Sequence, residues 1–306
     1  MVTRHTYAST DDLRDYLAGT SYSAGWTSDS ATLRRIVEAS SRRIDNYIGM
    51  QSFGPRIETR YYDIGSGSLR NSPQNLVRNT GSADIGNYNA YESAIDLNVW
   101  LISATTVTSF KATDRSSSET LTEGYANDFF LEPYNTNPKV RIKLNEDTSK
   151  GFYSGQQTFS ILGQWGYQND TTVVTTVDAV SSTTTTSVSV SSASGFGPAQ
   201  TILVGTEQMY VTSISGNTLT VERGINGSTA ATHSGGANAS QYDYPEPVVQ
   251  ACLDLGKIIF RDRDMAVGTS LGGANPTMYK LGGDAQRVLF SLDDYKASTG
   301  YSEVYF

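Results

Sequence analysis

The sequence predicts an α+β protein with a small helical-bundle core of two long helices plus short ones, β-strand extensions, and an inserted small all-β domain. Two segments, 29–49 and 246–264, have apolar residues at three- and four-residue spacings, which is typical of helices that bury one face. Much of the chain between them alternates apolar and polar residues, as half-buried strands do. Residues 170–239 lack a helical pattern and are rich in Ser, Thr, Val and Gly, which indicates a separate β-domain.

The two long helices define the predicted core. Ser30 is a suitable N-cap for the first helix, Gly49 suits the position just after its end, and Pro247 suits the first turn of the second. We expect the two apolar faces to pack on each other as an antiparallel or crossed pair. The residues predicted to be buried between these helices are Leu33, Ile36, Val37, Ile44, Tyr47, Leu255, Ile258 and Ile259.

Shorter elements fill the rest of the chain. Short helices are expected at 10–17 and 284–295, and a polar surface loop at 71–91. The turn Ser215-Gly-Asn-Thr predicts a hairpin between 208–214 and 218–223. Strands outside the β-domain are predicted at 56–64, 94–104, 106–113, 128–132 and 140–144, and the segment 158–167 closes this region.

These elements suggest three parts of the chain. Residues 1–169 form the N-terminal part of the helical core with a β-rich extension, 170–240 the inserted β-domain, and 241–306 the C-terminal part of the core. A chain of 306 residues exceeds one average domain, in agreement with an insertion.

Composition narrows the range of functions. The formal net charge of −8 argues against tight nucleic-acid binding, which needs clustered Lys and Arg to displace counterions. No apolar run approaches the ~20 residues that a membrane helix needs, and the first residues lack the apolar stretch of a signal peptide. We therefore expect no membrane contact and a cytoplasm-like compartment.

Residues with catalytic potential are few. Neither His5 nor His233 lies in a metal-binding or catalytic motif, and we expect both in surface loops. The single cysteine, Cys252, falls on the apolar face of the second long helix, so we expect a packed thiol and no disulfide within the chain. The glycine-rich segments lack the lysine of a phosphate-binding loop. The sequence thus predicts a protein that is not an enzyme, with no catalytic, cofactor-binding or metal site.

Several of these features together resemble a known family, the head–tail connector proteins of long-tailed phages, also called head completion or adaptor proteins. The resemblance rests on four segments in their order along the chain. They are the helix 33–48 with Phe53 after it, Thr59-Arg-Tyr-Tyr-Asp63, Gln164-Trp-Gly-Tyr167, and the helix Pro247 to Asp264. The β-domain looks like a module found in some phage neck and tail proteins.

The resemblance implies a structural virion protein at the head–tail neck, assembled in the host cytoplasm. Such a protein forms a homo-oligomeric ring of twelve copies below the portal, extends the DNA channel, and provides the attachment site for the next neck or tail completion protein. The acidic composition agrees with genomic double-stranded DNA passing through without specific binding.

The C-terminal tail is the predicted portal-docking element. Residues 301–306 alternate like a strand and are too short to form a sheet alone, so we expect the tail to dock on the portal or to be borrowed by a neighbouring copy. The glycines at 268–275 and 282–283 would let it swing. The docking residues predicted here are Tyr295, Tyr301, Val304, Tyr305 and Phe306.

Two other function classes remain open from the sequence. One is a capsid decoration or receptor-binding protein whose inserted β-domain binds a glycan, and the other is an enzyme acting on cell wall or nucleic acid. Assembly into a ring on a portal is expected only of the connector.

Overall fold

A computed structural model describes residues 4–18, 30–49, 51–64, 94–110, 117–153, 155–267 and 281–296. The chain divides into two compact units, of which the first contains Met1–Gly54 and Asn169–Lys296 and the second contains Pro55–Gln168 and Ala297–Phe306. The polar loop predicted at 71–91, the glycines at 268–275 and the tail residues Tyr301, Val304, Tyr305 and Phe306 lie outside the described residues.

The helices belong to the first unit. They are α1 (Thr10–Ala18), α2 (Ser30–Tyr47), α3 (Glu246–Val267) and α4 (Leu281–Phe290), followed by a 3₁₀ turn at Asp293–Tyr295. Ser9 and Asp12 form a capping box at the start of α1: the Ser9 N–H donates to the Asp12 carboxylate at 2.7 Å, and the Asp12 N–H donates to the Ser9 hydroxyl at 3.0 Å.

The predicted pairing of the two long helices is confirmed, because α2 packs against α3, while α1 contacts both and α4 contacts α3. Of the predicted core residues, Tyr47 and Ile259 are partly exposed. The others are buried: Leu33, Ile36, Val37, Ile44, Leu255 and Ile258.

An antiparallel sheet makes up the second unit. Its strands are β1 (Arg56–Ile64), β2 (Ala94–Phe110), β3 (Ser118–Leu121), β4 (Phe129–Glu132), β5 (Lys139–Leu144) and β6 (Gly155–Trp165). The order is β1-β6-β2-β5-β4, with β3 also paired to β2. The segments 94–104 and 106–113, predicted as two strands, form one long strand up to Phe110. Its pairing with β6 shifts register twice, between Leu101 and Ser103 and between Ala104 and Thr106.

Another antiparallel sheet forms the β-module, residues 171–242, which belongs to the first unit. Its strands are β7 (Thr171–Thr176), β8 (Ser187–Ser189), β9 (Thr201–Val204), β10 (Glu207–Ser215), β11 (Thr218–Glu222) and β12 (Asn238–Tyr242), in the order β7-β12-β9-β10-β11-β8. The chain just after β7 meets the end of β8 through an isolated bridge between Val177 and Val190, so the sheet closes on itself around an apolar interior. The predicted β10–β11 hairpin is confirmed, and Gly216 adopts the positive φ of 57° in its turn.

The predicted fold class is wrong. The described chain is mostly β, with two antiparallel sheets of six strands each and four helices, and it has no helical-bundle core. The helical segments have a strong apolar period that depends on neighbouring residues, whereas each sheet builds its own apolar core from strands that lie far apart in the chain.

Candidate assembly surface

An open groove lies between α3 and α4, with a volume of about 640 Å³. Its apolar floor contains Ala251 and Ile258 of α3, which are buried, and the half-buried Val288 of α4. Because the Arg261 guanidinium lies 3.4 Å from the Asp284 carboxylate, the start of α4 is placed beside the later turns of α3. We call this feature the α3–α4 groove.

Charged side chains form the walls of the α3–α4 groove. The acidic groups already have partners: Asp284 pairs with Arg261, and the Tyr16 hydroxyl donates to Asp254 at 2.5 Å. The hydrogen bond to Asp254 is the main reason why the pKa of Tyr16 is raised. The cationic groups are less fully paired.

Lys257 and Arg287 give the α3–α4 groove an excess of positive charge. The Lys257 ammonium lies 5.6 Å from the centre of the Tyr16 ring, a cation–π contact. The exposed Arg287 has no hydrogen bond or ion pair with another residue in the part of the chain that the structure describes. The groove therefore suits a ligand that is apolar and carries negative charge.

The 3₁₀ turn after α4 is held against the end of α2. The Tyr47 hydroxyl donates to the Asp293 carboxylate at 2.5 Å, and the Lys296 ammonium lies 2.8 Å from the same carboxylate. The hydrogen bond from Lys296 is the main reason why the pKa of Asp293 is lowered. Tyr295, a predicted docking residue, packs edge-on against Phe53 with ring centres 5.2 Å apart.

The N-terminal segment 4–9 forms a buried polar network, which the sequence did not predict. The surface position expected for His5 is wrong: the residue is fully buried, and its Nδ1 lies 2.9 Å from the Tyr244 hydroxyl. The Tyr7 hydroxyl donates to the Asp45 carboxylate and accepts a hydrogen bond from the Phe53 N–H. Burial is the main reason why the pKa of Tyr7 is raised well above its ordinary value.

Contacts from this region reach the β-module. Arg4 lies 3.1 Å from Glu222 of β11, and the Tyr210 hydroxyl of β10 donates to Glu38 of α2 at 2.5 Å. The Thr10 N–H at the start of α1 donates to the carbonyl of Pro198 at 2.9 Å. Helices and β-module therefore meet through specific polar contacts within one unit.

A second buried polar cluster lies inside the β-module. The Glu207 carboxylate is fully buried and accepts hydrogen bonds from Nε and Nη2 of Arg223 at 2.6 and 2.7 Å. It also accepts the N–H groups of Gly224 and Ala231, at 3.1 and 2.9 Å. Nε2 of His233 lies 2.8 Å from the same carboxylate, and this side chain is only 7% exposed, so the predicted surface position of His233 is also wrong.

Arg223 completes this cluster by donating to backbone carbonyls of the surrounding loops. Its acceptors are the carbonyls of Ser182, Thr185 and Ala231. The charges are neutralised and the guanidinium is fully engaged, which is the pattern of a buried structural ion pair. A spacing of sixteen residues between Glu207 and Arg223 gives no local signal in the sequence.

The described residues show no metal site, and their one cysteine is a buried thiol. Among the described residues, no set of three or more His, Cys, Asp or Glu side chains is placed to bind a metal ion. Burial raises the pKa of the Cys252 thiol to about 11, and its sulfur lies 3.5 Å from the Ser41 hydroxyl, so the thiol is protonated at neutral pH. Within the described ranges, no helix has both the length and the apolar character needed to cross a membrane.

Compared with family models, with curated proteins and with solved structures, the chain has no match.

Proposed function

We propose that this protein is a structural subunit of a phage head–tail connector. In this role it forms a homo-oligomeric ring below the portal, extends the DNA channel, and presents a surface to the next neck or tail protein. The sequence resemblance described above suggests the class, and the α3–α4 groove is the observation that carries the proposal.

The α3–α4 groove supports a role in assembly for two reasons. Val288, which lines the groove, is only half-buried, and burying such apolar surface is worth roughly 25 cal/mol per Å². Its walls combine paired charges with Arg287, which has no ion pair among the residues that the structure describes, and this favours a protein segment of complementary charge as the ligand. A surface of this kind is useful to a protein that binds copies of itself in a closed ring.

The charge of the chain supports the proposed position on the DNA path. Tight binding of duplex DNA requires several Lys or Arg side chains to release counterions together. A chain with a net charge of −8 is poorly suited to that, and DNA moving through a ring of such subunits would be retained weakly.

Light scattering after size exclusion tests the proposal directly. We expect the full-length protein to form a defined oligomer, or to form one when purified portal rings are added, and electron microscopy should show an added ring on the portal. A protein that stays monomeric at high concentration and does not bind the portal would refute the connector function. Binding to capsids or glycans under those conditions would favour the decoration or receptor-binding alternative.

A further inference from the structure

The chain enters and leaves the β-module side by side. Its first strand β7 and its last strand β12 pair antiparallel, with Thr171 opposite Tyr242. Just outside these strands, the Asp243 N–H donates to the Asp170 carbonyl at 3.0 Å. Two neighbouring connections allow a folded body to turn about them, so other contacts have to fix the orientation of the module toward the helices.

A strap formed by residues 4–7 makes such contacts with the β-module. The Arg4 N–H donates to the Asn226 side chain at 2.8 Å, and the Arg4 carbonyl accepts a hydrogen bond from the Thr201 hydroxyl at 2.5 Å. The Thr6 hydroxyl donates to a backbone carbonyl just before β9. Arg4 and Thr6 therefore attach the strap to the module.

The other two residues of the strap contact helix α2. The His5 carbonyl accepts a hydrogen bond from the Arg42 guanidinium. The Tyr7 N–H donates to the Ser41 hydroxyl at 3.1 Å. Alternation of this kind is typical of an extended chain, whose successive residues face opposite sides, and it lets one short segment hold the module and the helix together.

Arg4 also supplies a charge that the two sides share. Its guanidinium lies 3.1 Å from Glu222 of β11 and 3.9 Å from Glu38 of α2, so one cation pairs with a carboxylate of each side. The same guanidinium lies 5.4 Å from the ring centre of Tyr210, whose hydroxyl donates to Glu38. Without Arg4 the two carboxylates would lose the cation that they share, and like charges repel each other.

We propose that the strap holds the β-module in place against α2, and that losing the contacts of Arg4 and Thr6 lets the module turn about the β7–β12 connection as a rigid body. The strap itself would stay on the helices through Tyr7. Both parts would stay folded, because the module has its own apolar interior and the helices pack on one another. The strap would work in this way whether or not the protein assembles into a ring.

Distances between two spin labels in the full-length protein test this proposal. The labels are attached to Ala39→Cys, at an exposed position of α2, and to Thr183→Cys, on an exposed turn of the β-module. The native Cys252 is buried and does not compete for the label. By double electron–electron resonance we expect one narrow distribution of distances in the labelled protein, and a several-fold broader distribution when Arg4→Glu is added.

A matched control and a charge swap make this result specific. Arg43→Glu makes the same change of charge at an exposed residue of α2 that has no ion pair within the described ranges, and it should leave the distribution narrow. Arg4→Glu combined with Glu222→Arg again places opposite charges on the strap and on β11, and it should narrow the distribution. Thr6→Val removes one hydrogen bond without changing the charge, and we expect it to broaden the distribution less than Arg4→Glu does.

Two results would overturn the proposal. If the distribution stays narrow in both Arg4→Glu and Thr6→Val, the strap does not hold the module. If either variant instead loses the circular-dichroism signal of the folded protein, the strap, the module and the helices form one cooperative core, and the module has no free arrangement.

Discussion

Replacing Glu207 by Gln tests whether the buried cluster holds the β-module together. The substitution keeps the shape of the side chain but removes its charge, and it turns one acceptor oxygen into a donor. In the native protein that carboxylate accepts two hydrogen bonds from Arg223 and two from backbone N–H groups, at 2.6 to 3.1 Å. At least one of these donors would face the new amide N–H groups.

The size of the effect follows from these contacts. A hydrogen bond to a charged group contributes about 1.5–3 kcal/mol, and the Arg223 side chain, only 5% exposed, would keep a positive charge without its counter-charge. Removing one partner of a buried ion pair costs about 3–5 kcal/mol, and we expect a loss in this range. The exposed pair of Glu222 with Arg4 offers a control, because Glu222→Gln should cost at most about 1 kcal/mol.

The contribution of the Glu207 cluster to the free energy of unfolding should depend on pH. Burial alone would raise the pKa of Glu207, but the hydrogen bonds from Arg223, Ala231 and His233 outweigh it, and the pKa is lowered. A carboxylate with a lowered folded pKa contributes stability that is fully present above its unfolded pKa, about 4.3, and is lost as the pH falls through the folded pKa. The stability difference between the native protein and Glu207→Gln should therefore shrink below about pH 4.3.

Urea unfolding and hydrogen exchange measure these effects. We expect Glu207→Gln to lower the unfolding midpoint and to speed amide exchange in the loops 180–186 and 224–233, which Arg223 and Glu207 connect. Glu222→Gln should leave exchange in these loops close to that of the native protein. Equal midpoints and equal exchange for native protein and Glu207→Gln would refute a stabilising role for the cluster.

Two further pairs of substitutions test the packing. The buried Tyr62 hydroxyl has no hydrogen-bond partner among the described residues, so Tyr62→Phe should leave the free energy of unfolding unchanged or raise it by about 1 kcal/mol. Tyr7→Phe removes a hydrogen-bonded hydroxyl and should lower the free energy of unfolding by about 1–3 kcal/mol. The opposite order of the two variants in a thermal scan would contradict this. A Cβ at Gly54 would lie 2.4 Å from the His5 ring, so Gly54→Ala should lower the melting temperature. Gly283 lies on a helix with open space around it, so Gly283→Ala should not lower the melting temperature. Equal melting temperatures for the two variants would show that the His5 ring moves aside.

The sequence by itself determined the local elements with a strong pattern. The helices containing Ile36 and Leu255 and the hairpin around Gly216 follow from apolar spacing and turn residues, which act over a few neighbouring positions. The pairing of the two long helices was also predicted, because each has one apolar face.

Only the tertiary structure decided which elements share a core and which polar groups meet. Glu207 and Arg223 are ordinary charged residues in the sequence, and Tyr210 and Glu38 are 172 positions apart, yet each pair is in contact. The same holds for the sheets, whose order depends on pairings such as that of β1 with β6. Strand pairing and buried hydrogen bonds join residues that are distant along the chain, and their energy depends on burial that no local pattern encodes. For that reason a sequence with two clear helices belongs to a protein that is mostly β.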